Sequence, residues 1–206
     1  MGFYARYILP TFLDLAMRQP PIMRQRAKVV PRAAGRVLEV GIGSGLNISF
    51  YDQAKIEKVW GLDPSLELQK MARRRAAECG LNIEYVGLSG EEIPIDDAFF
   101  DSIVITYTLC TIPDAPRALR EMRRVLKPGG QMCFVEHGLA PDQSIARWQH
   151  RLNTVWPAIA GGCNMNRPIP DLIRQAGFEI NGLETMYLPG PKPLTYNYWG
   201  TATRSA

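Results

Sequence analysis

The sequence predicts one α/β domain built on a mostly parallel, doubly wound sheet, and three observations support that expectation. Apolar, β-branched runs alternate with amphipathic helical stretches from about residue 35 to 137. A glycine-rich turn follows the first of those runs directly, where open α/β sheets receive ligands. No repeat or Pro/Gly/Ser linker divides the 206 residues, a length that one core can fill without covalent staples.

The elements follow in order. Pro10 opens a short helix through Met17, and a second helical stretch runs from about Ile22 to Val30. Arg36–Val40 reads as a buried strand and Val59–Leu62 as another. Ser65–Cys79 is a helix stopped by Gly80. Ile83–Val86 and Ser102–Thr106 are further strands, the latter apolar enough to be covered on both faces. Ala115–Leu126 sets Leu119, Met122 and Val125 on one side and Arg117, Arg120, Glu121, Arg123 and Arg124 on the other, an amphipathic helix with a solvated basic face. Lys127-Pro128-Gly129-Gly130 ends it before a fifth strand, Gln131–Val135. After a helix at Pro170–Ala176, Phe178–Tyr187 and Thr195–Thr203 read as a long hairpin joined by the Pro189–Pro193 loop, giving seven strands in all.

Composition narrows the class. A content of 46% hydrophobic and 21% charged residues is that of a soluble globular protein. Cys79, Cys110, Cys133 and Cys163 are dispersed without a CxxC pair, so neither a zinc site nor a disulfide framework is expected, and free thiols suit the cytoplasm. The net charge of +4 is concentrated in residues 1–36, where Arg6, Arg18, Arg24, Arg26, Lys28, Arg32 and Arg36 face only Asp14. Interleaved apolar residues leave two readings: a helical cap packed on the domain with its arginines in water, or an interfacial segment touching anionic lipid. No recognition motif accompanies the charge, so nucleic acid is not an expected partner.

The glycine turn is Glu39-Val40-Gly41-Ile42-Gly43-Ser44-Gly45. Its GxGxG spacing departs from the GxGxxG of dinucleotide sites. A carboxylate two residues before the first glycine suits a cationic amino-acid end better than a phosphate, which it would repel. Asp63, in Gly61-Leu62-Asp63-Pro64, closes the second strand, where it can accept ribose hydroxyls or cap the next helix. Ser89-Gly90-Glu91-Glu92 follows the third strand and offers backbone N–H groups to an adenine edge, or a plain solvated turn.

Taken together, these motifs, with Phe100-Asp101-Ser102 and Arg124–Gly130, resemble the class I S-adenosylmethionine methyltransferases over residues 35–137. Tyr107–Cys110, Phe134–His137, Trp148-Gln149, Trp156 and Gly162–Arg167 are similar to the methyltransferase-like proteins that methylate alkyl thiols. The resemblance implies a Rossmann-like methyltransferase fold divided into a cap (1–34), a cofactor core (35–137) and acceptor-side helices with a terminal hairpin (138–206). It implies S-adenosylmethionine as cofactor, S-adenosylhomocysteine as product and no metal. Cofactor contacts are expected from Glu39, Gly41, Gly43, Gly45, Asp63, Pro64, Gly90, Glu91 and Thr106. Many quinone-type relatives carry Asp where Ser89 stands, which shifts weight onto the backbone of Gly90 and Glu91.

The expected acceptor is a small lipophilic molecule, a thiol by preference and a lipid or quinone amine or carbon as the alternative. A thiol with a pKa near about 8.5 forms a usable thiolate without a strong base. His137 and Tyr107, at the ends of the fifth and fourth strands, are the candidate catalytic residues. Glu136 either orients His137 or binds backbone N–H groups, and Cys110 is expected to be a packed residue. Tyr4, Tyr7, Trp148 and Arg167 are candidate acceptor contacts, and Trp156, Ile159, Tyr187 and Trp199 candidate walls. Arg167 either clamps an anionic group or pairs with Asp171.

Overall fold

The computed structural model describes residues 9–204. β-Branched runs become five parallel strands: β1 (Gly35–Val40), β2 (Ile56–Leu62), β3 (Ile83–Val86, at one edge), β4 (Phe100–Thr106) and β5 (Leu126–His137). β6 (Phe178–Tyr187) and β7 (Tyr196–Arg204) are antiparallel, and the sheet order is β3-β2-β1-β4-β5-β7-β6. β7 therefore lies inside the sheet and β6 forms its edge.

Alternation along the strands sends side chains to both faces. Ile103 and Ile105 join Leu38, Phe134 and Met132 on one face, beneath α4 (Ala115–Val125) and α7 (Ile169–Gln175). Val104 joins Val37, Val59, Cys133 and Val135 on the other, with Val29, Val30 and Ala33 packed there. α3 (Leu66–Cys79) adds Ala72 and Ala76 against Ile42 and Ile48. The mixed cover explains why β4 is apolar throughout.

Some boundaries differ from the sequence reading, for local reasons. Ser65 is the N-cap of α3, its hydroxyl accepting from the Leu68 N–H at 3.3 Å, and Gly80 ends the helix at φ +67°. α4 is capped by Asp114, which accepts from the Arg117 N–H at 3.0 Å. The Lys127–Gly130 segment does not separate helix from strand; β5 begins at Leu126 and absorbs it as an irregularity in its pairing with β4. The hairpin loop contains a short helix, α8 (Lys192–Thr195).

The amino-terminal helices, α1 (Leu9–Met17) and α2 (Pro20–Val29), form the cap, and α2 packs on β5 and β7. The expectation that the cap's arginines lie in water fails at Arg26, which is buried because the site below supplies acceptors for its guanidinium. Asp14 of α1 is also buried, paired with Arg18 and Arg75 at 2.9 Å each. Tyr4 and Tyr7 lie outside the described residues. Among the described residues, no helix is long and apolar enough to cross a membrane.

The crossovers from β1 run outward to β2 and β3, while β4 begins on its opposite side. The carboxyl ends of β1 and β4 thus flank the crevice where such sheets receive ligands. Residues 41–45 and 107–113 form its rim.

Candidate active site

The turn after β1 has a conformation that L side chains resist. Gly41, Gly43 and Gly45 take φ of +72°, +52° and +82°. A Cβ on Gly41 would lie 2.2 Å from the Thr108 side chain, and one on Gly45 would lie 2.9 Å from the Ala72 Cα. At Gly43 nothing stands closer than 3.9 Å. The first and third glycines are demanded by packing, whereas the second leaves open space over the loop.

Asp63 joins this loop to the next helix. Its Oδ2 accepts from the Gly43 N–H at 2.9 Å and its Oδ1 from the Ser65 N–H at 2.8 Å. Burial pushes its carboxyl upward, and the two backbone donors oppose that shift. The capping role belongs to neighbouring Ser65, so Asp63 keeps its remaining lone pairs for the crevice. Pro64 is exposed beside it. Arg75 fixes the loop from behind, donating to the Ser44 carbonyl at 2.5 Å while pairing with Asp14.

Beneath the loop lies a polar floor. Glu39 is 1% exposed and accepts from Asn47 Nδ2 at 2.9 Å and from the Tyr51 hydroxyl at 2.7 Å. Burial raises its pKa to about 7, against the opposing effect of those donors and of Arg26. Its two oxygens are directed at protein groups, so it supports the loop from below. Asn47 also donates to Thr106 Oγ1 at 2.9 Å, and Arg26 donates to Thr106 Oγ1 at 2.5 Å and to Asn47 Oδ1 at 2.9 Å. Sequence reasoning missed Arg26, Asn47 and Tyr51, which reach Thr106 and Glu39 only when α2, the stretch after β1 and β4 fold together.

The loop after β3 is closed by its own side chains. Gly90 is buried, and a Cβ there would lie 3.1 Å from Val40. Glu91 accepts from the Asp114 N–H at 2.6 Å and from the Ser89 hydroxyl at 3.0 Å. Ser89 and Glu91 therefore order this rim through each other.

Across the crevice, Tyr107 leaves β4 at φ +53°, a left-handed conformation costly for an aromatic residue. Its hydroxyl donates to Asn197 Oδ1 at 2.7 Å, and Arg26 lies 5.2 Å from its ring centroid. Burial drives its phenol well above the ordinary range. Glu136 settles between its two expected roles: Oε1 accepts from the Thr108 and Leu109 N–H groups at 2.8 and 3.0 Å. Its Oε2 is buried without a partner, and burial raises its pKa to about 7.

Next to it, His137 Nε2 lies 3.1 Å from Cys163 Sγ. Cys110 completes a trio whose ligand-type atoms lie within 4.8 Å of one another. The Cys110 thiol and the His137 imidazole together hold the Cys163 thiol down, while the hydrogen bond to Cys163 and then burial push Cys110 up. Burial opposes a charged His137, but Cys163 beside it raises the imidazole's pKa overall. The expectation that Cys110 is merely packed is incomplete: it is buried, yet it faces a second thiol and an imidazole. The signal lay in Tyr107–Cys110, His137 and Cys163 each following a strand or loop at the same end of the sheet.

The remaining acceptor-side candidates divide. Arg167 does not pair with Asp171, which reaches Arg174 at 3.4 Å on its own helix. Arg167 instead donates to the Leu109 carbonyl, and at 3.5 Å to that of Pro113, bracing the rim. Trp148, on α5 (Gln143–Leu152), is 54% exposed. Trp199 is no wall of the crevice; it is buried under Lys28 and Arg32, which lie 4.6 and 5.4 Å from its ring centroid. Tyr187 packs its ring at a tilt against Tyr196 and donates to Asp142.

Residues 38–134 match the methyltransferase domain model. The chain is 31% identical to phosphatidylethanolamine N-methyltransferase of Cereibacter sphaeroides over 158 residues, covering 72% of this chain and 76% of that one. It belongs to the S-adenosylmethionine-dependent methyltransferases. It is also 34% identical to thiol S-methyltransferase TMT1B of Rattus norvegicus over 153 residues, 72% of this chain but 62% of that relative's length. The methyltransferase fold recurs in the structure of an S-adenosylmethionine-dependent methyltransferase from Aquifex aeolicus, with a TM-score of 0.66 at 17% identity and coverage of 95% and 98%. The residues fit the methyltransferase cofactor: the loop is open above Gly43, and Asp63 stands beside it with acceptor capacity to spare.

Proposed function

We propose that this chain transfers a methyl group from S-adenosylmethionine to the sulfur of a small lipophilic thiol. The observation that carries the reading is the His137–Cys163 contact of 3.1 Å beside Tyr107 and Cys110, at the carboxyl ends of β4 and β5. Imidazole and thiol groups suit a sulfur nucleophile, and the 34% identical rat relative is named a thiol S-methyltransferase. The cofactor supplies a methyl group already activated on a sulfonium. The protein's work is then to align the acceptor, exclude water and keep the acceptor sulfur deprotonated.

In this reading Gly41, Gly43, Gly45 and Asp63 hold the cofactor, with Gly90, Glu91, Pro64 and Thr106 around it and Glu39 supporting the loop from below. His137 acts on the acceptor side. Tyr107, fixed by Asn197, positions the rim between the two ligands. Arg167 shapes that rim through backbone carbonyls.

A lipid acceptor is the second reading, and one surface favours it. Trp148, Leu152, Val155 and Ile159 are all exposed along α5, the turn after it and the short helix Trp156–Ile159, with Arg147 and Arg151 beside them. That pattern, with the excess of basic residues over positions 1–36, suits peripheral contact with anionic lipid. Purified protein with methyl-labelled S-adenosylmethionine, offered alkyl thiols, phosphatidylethanolamine vesicles and quinols in parallel, separates the readings. Label on thiols is the expected result, and label confined to lipid or quinol overturns it.

A further inference from the structure

We infer that Cys110, His137 and Cys163 are three protein ligands of a thiophilic divalent metal, zinc being the ion that fits, with its fourth position open to the acceptor's thiolate. The metal site is independent of the thiol reading above; only the identity of the fourth ligand rests on it.

Three features support the inference. The donor set is two sulfurs and an imidazole nitrogen, which selects zinc over magnesium or calcium. The distances suit one ion: zinc bonds of about 2.3 Å to sulfur and about 2.0 Å to nitrogen place tetrahedral ligand atoms about 3.5–3.8 Å apart. Here Nε2 and Sγ of Cys163 are 3.1 Å apart, and all three donors lie within 4.8 Å of one another. A trio this close needs small shifts to close on an ion.

The third feature is the way the ligands are held. They come from three segments, and the backbone ties those segments together before any ion binds. The Cys110 carbonyl accepts from the backbone N–H of Asn164 at 2.8 Å and from its side chain at 3.2 Å. Asn164 directly follows Cys163, so one residue locks both sulfur-bearing loops. Asn153 accepts from the Met165 N–H at 2.9 Å and donates to Asn164 Oδ1 at 3.0 Å, which fixes Asn164 in turn. Glu136 holds the Thr108 and Leu109 N–H groups just ahead of Cys110, and His137 is the next residue along β5. A buried thiol, a half-buried thiol and a half-buried imidazole held this firmly resemble a preorganised ligand set more than packing.

The chemistry balances simply. On binding, Cys110 gives up one proton and the Cys163–His137 pair gives up the one proton it shares, so the product is a bis-thiolate complex with a neutral imidazole and two protons released. An acceptor thiol entering the fourth position releases a third proton. Its sulfur pair then forms the new bond to the methyl carbon, and the electrons of the breaking carbon–sulfonium bond return to the cofactor sulfur. Three ligands with one open position is the pattern of catalytic zinc.

The full chain, purified in a phosphine reductant and stripped of metal, would be titrated anaerobically with cobalt(II) alone. The expected result is one ion per chain, with thiolate-to-cobalt bands in the near ultraviolet and the intense visible bands of four-coordinate cobalt. Cys163→Ser and His137→Asn should each weaken binding by at least about 100-fold. Thermal melts of the same variants identify any that fail to fold. X-ray absorption of the zinc-loaded wild type, which needs no variant, should show two sulfur ligands and one nitrogen ligand from protein.

A six-coordinate spectrum, unchanged affinity in both variants, or a Cys110–Cys163 disulfide that persists in reductant without metal uptake would overturn the site. Adding an alkyl thiol should then shift the charge-transfer bands. No shift with a thiol that the enzyme methylates would overturn the fourth-ligand assignment while leaving the three protein ligands intact. Cobalt binding without methylation of any thiol would instead count against the proposed function alone.

Discussion

The Gly43 N–H points at Asp63 Oδ2 from 2.9 Å, so one carboxylate sets the position of the glycine loop and, through Ser65, the start of α3. Asp63→Ala leaves both donors without that acceptor. We expect a loss of about 2 kcal/mol in denaturant-measured stability and at least a tenfold weaker calorimetric affinity for S-adenosylmethionine. A variant that binds cofactor like the wild type would remove Asp63 from the site.

Gly45 and Gly43 should behave differently. Gly45→Ala places a Cβ 2.6 Å from Ile48 and 2.9 Å from the Ala72 backbone, at φ +82°. A cost of roughly 2–4 kcal/mol is expected. Gly43→Ala meets nothing within 3.9 Å and bears only its backbone strain of about 1 kcal/mol. Its damage should appear in cofactor affinity, and a Gly43→Ala protein with full affinity but a collapsed unfolding midpoint would reverse this assignment.

Arg26 connects the cap to the floor of the crevice. Arg26→Met keeps most of the side chain's bulk but withdraws the donors to Thr106 and Asn47 and the cation facing Glu39 and Glu136. The expected loss is about 3 kcal/mol, with cofactor affinity falling as Asn47 loosens. A melt within a degree of wild type would show that α2 docks without it.

Glu39 gives a signed dependence on pH. Its folded pKa of about 7 lies above the ordinary 4.5, chiefly through burial. Between those values the folded chain holds a proton that the unfolded chain releases. The associated stabilisation is full below about 4.5 and is lost as pH rises through about 7. Compared at each pH with Glu39→Gln, which cannot titrate, the wild type should lose relative stability from pH 5 to pH 8. A relative gain over that range would mean the carboxylate is stabilised in its ionised form.

Legibility in the sequence followed the range of the interactions. Strand β3, helix α3 and the glycine loop are specified by neighbours a few residues away: apolar alternation, a Ser65 cap, a Gly80 stop. Those elements were readable to within a residue or two. The spacing of Glu39 from the glycines pointed to the cofactor but gave no sign of Tyr51 and Asn47 folding back beneath it. Arg26 reaches Thr106 across 80 residues of chain, and no local pattern separates it from the exposed Arg24. The convergence of Cys110, His137 and Cys163 depends on the stretch after β5, where Gly138–Pro168 forms α5, α6 (Trp156–Ile159) and their loops rather than another strand–helix repeat.

The order of strands also carries a consequence for biogenesis. β7 hydrogen-bonds to β5 on one side and β6 on the other. Until β7 leaves the ribosome, β5 presents an unpaired apolar edge and β6 has no neighbour in the sheet. The cofactor loop, Asp63 and β4 can assemble much earlier, since all their partners precede residue 138. A nascent chain stalled within β6 should therefore expose a sticky edge suited to chaperone capture or to pairing with another chain.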